Sequence, residues 1–157
     1  MSAIHANETS EFLVHERAAT ITAAEAALAR IHARHYDAAG AENARERLEA
    51  LYDRLIEAVD TRDLASIVAY ARQVARERFE AGYDLAEVQA AFNALEEATW
   101  SRVLADLPPE RFSEALGLVT TILGAAKDAL GREYVSLATQ RHAPSLDMSR
   151  LFMGAAG

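Results

Sequence analysis

Leu116-Gly117-Leu118-Val119-Thr120-Thr121-Ile122-Leu123-Gly124-Ala125-Ala126-Lys127-Asp128-Ala129-Leu130-Gly131-Arg132-Glu133-Tyr134-Val135-Ser136-Leu137-Ala138 decides the fold class. Leu116, Leu123, Leu130 and Leu137 recur every seven residues, the spacing of one face of a long helix. Gly117, Gly124 and Gly131 follow three of them directly. Each mid-helix glycine costs about 1 kcal/mol relative to alanine, so the three together cost roughly 3 kcal/mol. That cost has to be offset. A stripe without side chains admits the backbone of a neighbouring helix, or it leaves a groove for a ligand. Val119, Ala126 and Tyr134 share the leucine side, which reads as core or as a helix–helix seam. Lys127 lies within this pattern, either as a cation for an anionic ligand or paired with an acid such as Glu96 or Glu97.

Working outward, Ala143-Pro144 stops this helix, and Pro108-Pro109 opens it near Glu110. Before it, Asp84 and Glu87 have the spacing of a capping box for a helix carrying Val88, Phe92, Leu95, Thr99 and Val103 on one face. Trp100 and Leu104 widen that face, which places Trp100 in the core or on a ligand platform. A helix over 63–81, ended by Gly82, and another over 41–59, broken at Asp60-Thr61, come earlier. The first helix is expected from Ser10, a candidate N-cap, to Ala39, with Gly40 as its stop. Val14, Ile21 and Leu28 repeat every seven residues along it, with Ile31 offset by three. No segment alternates at period two, so the reading is all-α with about five helices and no sheet, and the short connections favour antiparallel packing.

The chain has 157 residues and a net charge of −8, enough for one domain. Residues 10–143 read as that domain, 1–9 as a flexible N-terminus, and 144–157 as a tail. The tail is apolar enough, through Leu146, Leu151 and Phe152, to be expected to dock on the body. The acidic balance argues against a nucleic-acid surface. No stretch has the length of a membrane span or the form of a signal peptide, so a cytoplasmic protein is expected.

Few chemistries are supported. There is no cysteine, hence no disulfide and no thiolate metal site. The only histidines are His5, His15, His32, His35 and His142, so helices after residue 40 lack a proximal haem ligand until His142. His32 and His35 share a helix face, the sole basis for a metal-dependent helical enzyme. No phosphate loop, nucleophile elbow or paired Glu-x-x-His motif occurs. No haem, metal or other cofactor is expected.

The stretch Arg76-Glu77-Arg78-Phe79-Glu80-Ala81-Gly82-Tyr83-Asp84-Leu85-Ala86-Glu87-Val88 has its own grammar: a helix ends in a basic, aromatic turn, then Gly and an acid precede Leu-x-x-Val, which opens a long helix. This resembles the N-terminal sensor domain of RsbR-type proteins, co-antagonists of the stress-response kinase RsbT, over roughly Leu48 to Leu137. The resemblance implies a dimeric, helical, globin-like domain without haem, used for signal input or protein interaction. It also implies a stand-alone sensor-like domain, because the 157 residues leave no room for the STAS domain that such proteins carry.

Three functions follow: a non-enzymatic regulatory domain with a signalling partner or small ligand, a pure helical oligomerisation module, and the metal-dependent enzyme. Two long apolar seams in one chain are more than a single core consumes. A homodimer is therefore expected, built from Val14, Ile21, Leu28 and Ile31, from the fifth helix, or from both. Phe92, Trp100, Gly117, Gly124, Lys127, Gly131 and Tyr134 are the candidate ligand or interface residues.

Overall fold

The amphipathic repeats fold as helices throughout the described part of the chain. A computed structural model describes the backbone of residues 2–32 and 38–142, and the side chains of 8–31 and 43–141. The tail from residue 143 and the His32/His35 pair therefore lie outside the described residues or side chains. The helices are α1 (Ser2–His15), α2 (Arg17–His32), α3 (Ala38–Thr61), α4 (Ala65–Glu80), α5 (Leu85–Asp106) and α6 (Phe112–His142). One 3-10 turn, Pro109–Arg111, leads into α6. No strand occurs among the described residues.

The difference from five helices lies at the N-terminus. Helix α1 begins before Ser10, which is an interior, buried residue whose Oγ donates to Asp60 Oδ1 at 3.2 Å. The expected long first helix is broken at Glu16. At the break the buried Tyr52 hydroxyl donates to the Leu13 carbonyl at 2.6 Å, and Thr20 Oγ1 donates to the Glu16 carbonyl at 2.8 Å. Arg102 holds Glu16 from α5 at 3.1 Å. Tyr52 and Arg102 come from distant parts of the chain, so the heptad pattern runs through the break without registering it.

The break matters for the seam. Ile21 and Leu28 are buried in the subunit's own core, while Val14 is 57% exposed and Ile31 is 49% exposed. The four residues do not form one exposed stripe.

Tyr52 gives a stability test. Tyr52→Phe strips the buried Leu13 carbonyl of its donor and is expected to cost about 1–3 kcal/mol, read from the denaturation midpoint. Burial pushes the Tyr52 hydroxyl from 10.0 up to about 12. A raised folded-state pKa means that the stabilisation is complete below the unfolded value and is lost as pH climbs through the folded one. The native protein should lose about 2–3 kcal/mol over that alkaline window from Tyr52 alone. Tyr52→Phe should lose that part of the slope and keep the smaller part due to Tyr70 and Tyr134, whose pKa values burial also raises.

The corner between α4 and α5 follows the sequence closely. Gly82 sits at φ 85°, where a β-carbon would be strained. Its N–H donates to the Phe79 carbonyl and that of Tyr83 to the Arg78 carbonyl, the two bonds of a Schellman stop. Asp84 takes the extended N-cap conformation, but its side chain makes no cap bond, so the capping box does not form. Its carbonyl accepts from Glu87 and Val88 instead.

Helix α3 packs on every other helix, and α5 lies beside it. Helix α5 packs on α2, α3 and α6, while α4 lies along α6 and α1 along α3. Val88, Phe92, Leu95, Thr99 and Val103 are buried as their spacing implies. On α6, Val119, Leu123, Ala126, Leu130 and Tyr134 are core.

Candidate functional site

Two features remain once the core is accounted for, and both involve α5. The first is an open face shared with α6. Trp100 and Leu104 do not widen the buried side of α5: they are 38% and 51% exposed. They belong to a second stripe, Gln89, Asn93, Glu96, Trp100 and Leu104, at spacings of three and four. Helix α6 runs antiparallel to it. Gln89 lies 4.0 Å from where a β-carbon of Gly131 would be, and Lys127 Nζ reaches Glu96 Oε2 at 2.5 Å and Asn93 Oδ1 at 3.3 Å. That register carries Trp100 and Leu104 toward the Gly124–Gly117 end of α6.

The glycine stripe is open. Among the described residues an added β-carbon at Gly117 or Gly124 would meet nothing within 4 Å. Among the described residues no helix backbone fills the space of the missing side chains. Val135, one turn beyond Gly131, is 62% exposed on the same flank. A shallow groove here is bordered by Leu85, Gln89, Lys127, Gly131 and Val135, and a second along α5 by Asn93, Glu96, Trp100 and Leu104. Lys127 is mostly shielded and pairs with Glu96 rather than Glu97, at the middle of the face.

The second feature is a cavity of about 40 Å³ between α2, α3, α4 and α5. Leu28, Leu48, Leu51, Val74, Val88 and Phe92 form its buried apolar floor. Arg47, Tyr70, Arg78, Tyr83 and Glu87 are partly or fully exposed and make its rim. At roughly 24 cal/mol per Å³, such a void costs the fold about 1 kcal/mol. The Arg78 guanidinium lies 5.0 Å from the centroid of the Tyr83 ring.

Among the candidates read from the sequence, Trp100, Gly117, Gly124, Lys127 and Gly131 thus share the open face, and Phe92 lines the cavity with Leu28. Tyr134 joins neither. It is buried, donates its hydroxyl to the Tyr83 carbonyl and meets the Phe79 ring edge-on at 5.5 Å. The cavity rim was not singled out from the sequence. Its one local signal is that Arg78, Tyr83, Glu87 and Val88 all fall in the corner stretch 76–88. Among the described residues no three His, Asp or Glu side chains are grouped as a metal site. No described helix is long and apolar enough to cross a membrane.

The described residues thus form an all-α domain of six helices with a distinctive α4–α5 corner. The family comparison is specific: residues 13–143 match the model described as the RsbT co-antagonist protein rsbRD N-terminal domain. The chain belongs to that family, one of regulatory co-antagonist domains in stress response. The match is wider than Leu48 to Leu137, and takes in α2 and the last turn of α1 from Leu13. No curated protein and no solved structure matches the chain.

Proposed function

We propose that the chain is a non-enzymatic signal-input domain that works as a homodimer and hands its state to a signalling protein. The observation that carries the reading is the open face of α5 and α6. Three glycines cost roughly 3 kcal/mol of helix stability. Among the described residues nothing comes within 4 Å of a β-carbon at Gly117 or Gly124, and only the end of the Gln89 side chain reaches 4.0 Å at Gly131. The backbone of a second copy fits the space, and exposed Trp100, Leu104 and Val135 flank the stripe with apolar area to bury. Two-fold pairing sets the same patch against itself and brings the Lys127–Glu96 pair of each subunit toward the middle. Membership in a co-antagonist family supports a signalling partner.

The absence of cysteine makes the test clean. Gly117→Cys, Gly124→Cys and Gly131→Cys, each made singly, should give at least one disulfide-linked dimer under mild oxidation, because a self-paired stripe brings equivalent positions within bridging distance. Val14→Cys and Ile31→Cys serve as controls on the N-terminal helices. Cross-linking at Ile31 with none along α6 would move the interface to α2. No cross-link at any position would remove the dimer from the proposal.

A further inference from the structure

We infer that each copy in the dimer seats its Trp100 in the groove that the other forms from Leu85, Gln89, Gly131 and Val135. The inference rests on the reading of the open face as a homodimer interface, and it names the anchor residue and the register of that interface. The two grooves of the face carry it. Lys127 borders one and Glu96 the other, so their ion pair is the boundary between them. The grooves differ in kind. One has a glycine in its wall, and the other carries the only tryptophan of the chain, partly exposed, with exposed Leu104 one turn further on.

Their positions are related by symmetry. On α5, Trp100 lies four residues after Glu96 and Leu104 eight. On α6, Gly131 lies four residues after Lys127 and Val135 eight. The helices are antiparallel, so the two sets run in opposite directions from the ion pair. Each first member is about 6 Å from it along the helices, at 1.5 Å per residue. A two-fold axis that crosses both helices at the ion pair therefore lays each groove over the other groove of the second copy. Trp100 then meets the partner's Gly131, and Leu104 meets the partner's Val135. An axis along the helices would instead leave two indoles in one layer and two hollows facing each other. Of the three glycines, Gly124 lies nearest the crossing axis, three residues from Lys127. It is the one of them that this register expects to cross-link with itself.

The polar groups agree with the shape. A covered indole needs an acceptor for its N–H. Among the described residues neither the Trp100 N–H nor the Gln89 amide has a hydrogen-bond partner. Gln89 lies beside the bare face of Gly131, which puts its amide in the groove that receives the indole. Arg132, held by Asp128 at 2.9 Å, stands on the same rim, and a guanidinium over an indole face is favourable. The Lys127–Glu96 pair is satisfied within each subunit, so covering it leaves no unpaired charge.

The test uses the full chain. Leu104→Cys/Val135→Cys, made together in one chain and mildly oxidised, should give a covalent dimer. Within a chain the two positions lie about 24 Å apart along the helices, far beyond the reach of a disulfide, so they meet only between copies. Leu104→Cys alone and Val135→Cys alone should stay unlinked. Trp100→Ala should raise the dimer dissociation constant at least roughly tenfold, with helical circular dichroism unchanged. Trp100→Phe and Gln89→Leu should each weaken the dimer less, and the two together no more than either alone, since both remove the same hydrogen bond. Trp100 fluorescence should move to the red as the native dimer is diluted apart. The seating is overturned if the double-cysteine chain stays unlinked, if either single variant links on its own, or if Trp100→Ala pairs as tightly as the native chain. A native protein that is monomeric at every concentration removes the homodimer reading itself, whereas a native dimer that fails these tests removes only the seating of Trp100.

Discussion

Gly124→Leu should yield a folded protein of half the native mass. The two halves of this expectation pull in opposite directions, which makes the result diagnostic. Within a subunit the new β-carbon has no neighbour within 4 Å among the described residues. Replacing a mid-helix glycine with a good helix former should stabilise the isolated subunit by about 0.5–1 kcal/mol. Against a second copy the leucine fills the space that the partner backbone needs, and overpacking of that kind typically costs about 1–3 kcal/mol at each contact. A two-fold interface suffers the change on both subunits. Helical circular dichroism should be unchanged and the mass should fall to the 17.1 kDa of one chain. A Gly124→Leu protein that keeps the native mass would place the interface elsewhere.

Ile21→Glu should destroy the fold instead of the dimer. The heptad row makes Ile21 look equivalent to Val14 and Leu28, and a charge there would then be a test of association. The break at Glu16 removes that equivalence. Ile21 is almost wholly buried among the core residues of its own subunit. An unpaired carboxylate in such a place costs several kcal/mol, against a total stability of about 5–15 kcal/mol for a domain. The variant should be largely unfolded at room temperature or recoverable only from inclusion bodies. Val14→Glu and Ile31→Glu lie at exposed positions and should change stability by no more than about 0.5 kcal/mol, with the mass unaltered. Circular dichroism and thermal melts of the three variants check the distinction.

Helix type and the boundaries from Thr61 onward were legible because they depend on neighbours in the chain, whereas Gly40, expected to stop the first helix, lies inside α3. The Gly82 stop, the Thr61 end of α3 and the proline entry to α6 are each written in a few adjacent residues. The leucine side of α6 was legible for the same reason. What was not legible depends on contacts across the sequence. The break at Glu16 involves Tyr52 and Arg102, which lie far along the chain. The spacing leaves Trp100 between core and ligand platform, because a helix buried on several faces has apolar residues in nearly every direction and periodicity cannot say which flank is left uncovered. The glycine repeat showed that a close approach or a groove was intended. It could not show that the subunit itself leaves the stripe open, which follows from where α5 and the other helices pack. The cavity is the extreme case: its rim draws Arg47, Tyr70 and Arg78 from two helices, and only the corner stretch hints at it.

The central claim is that two copies of this domain pair through the open face of α5 and α6. Multi-angle light scattering of the unmodified protein at micromolar concentration tests it most directly. The account requires a mass twice the 17.1 kDa of the chain, holding steady on dilution through the micromolar range. A mass of one chain across that range would contradict it, and the cost of Gly117, Gly124 and Gly131 would then need another explanation.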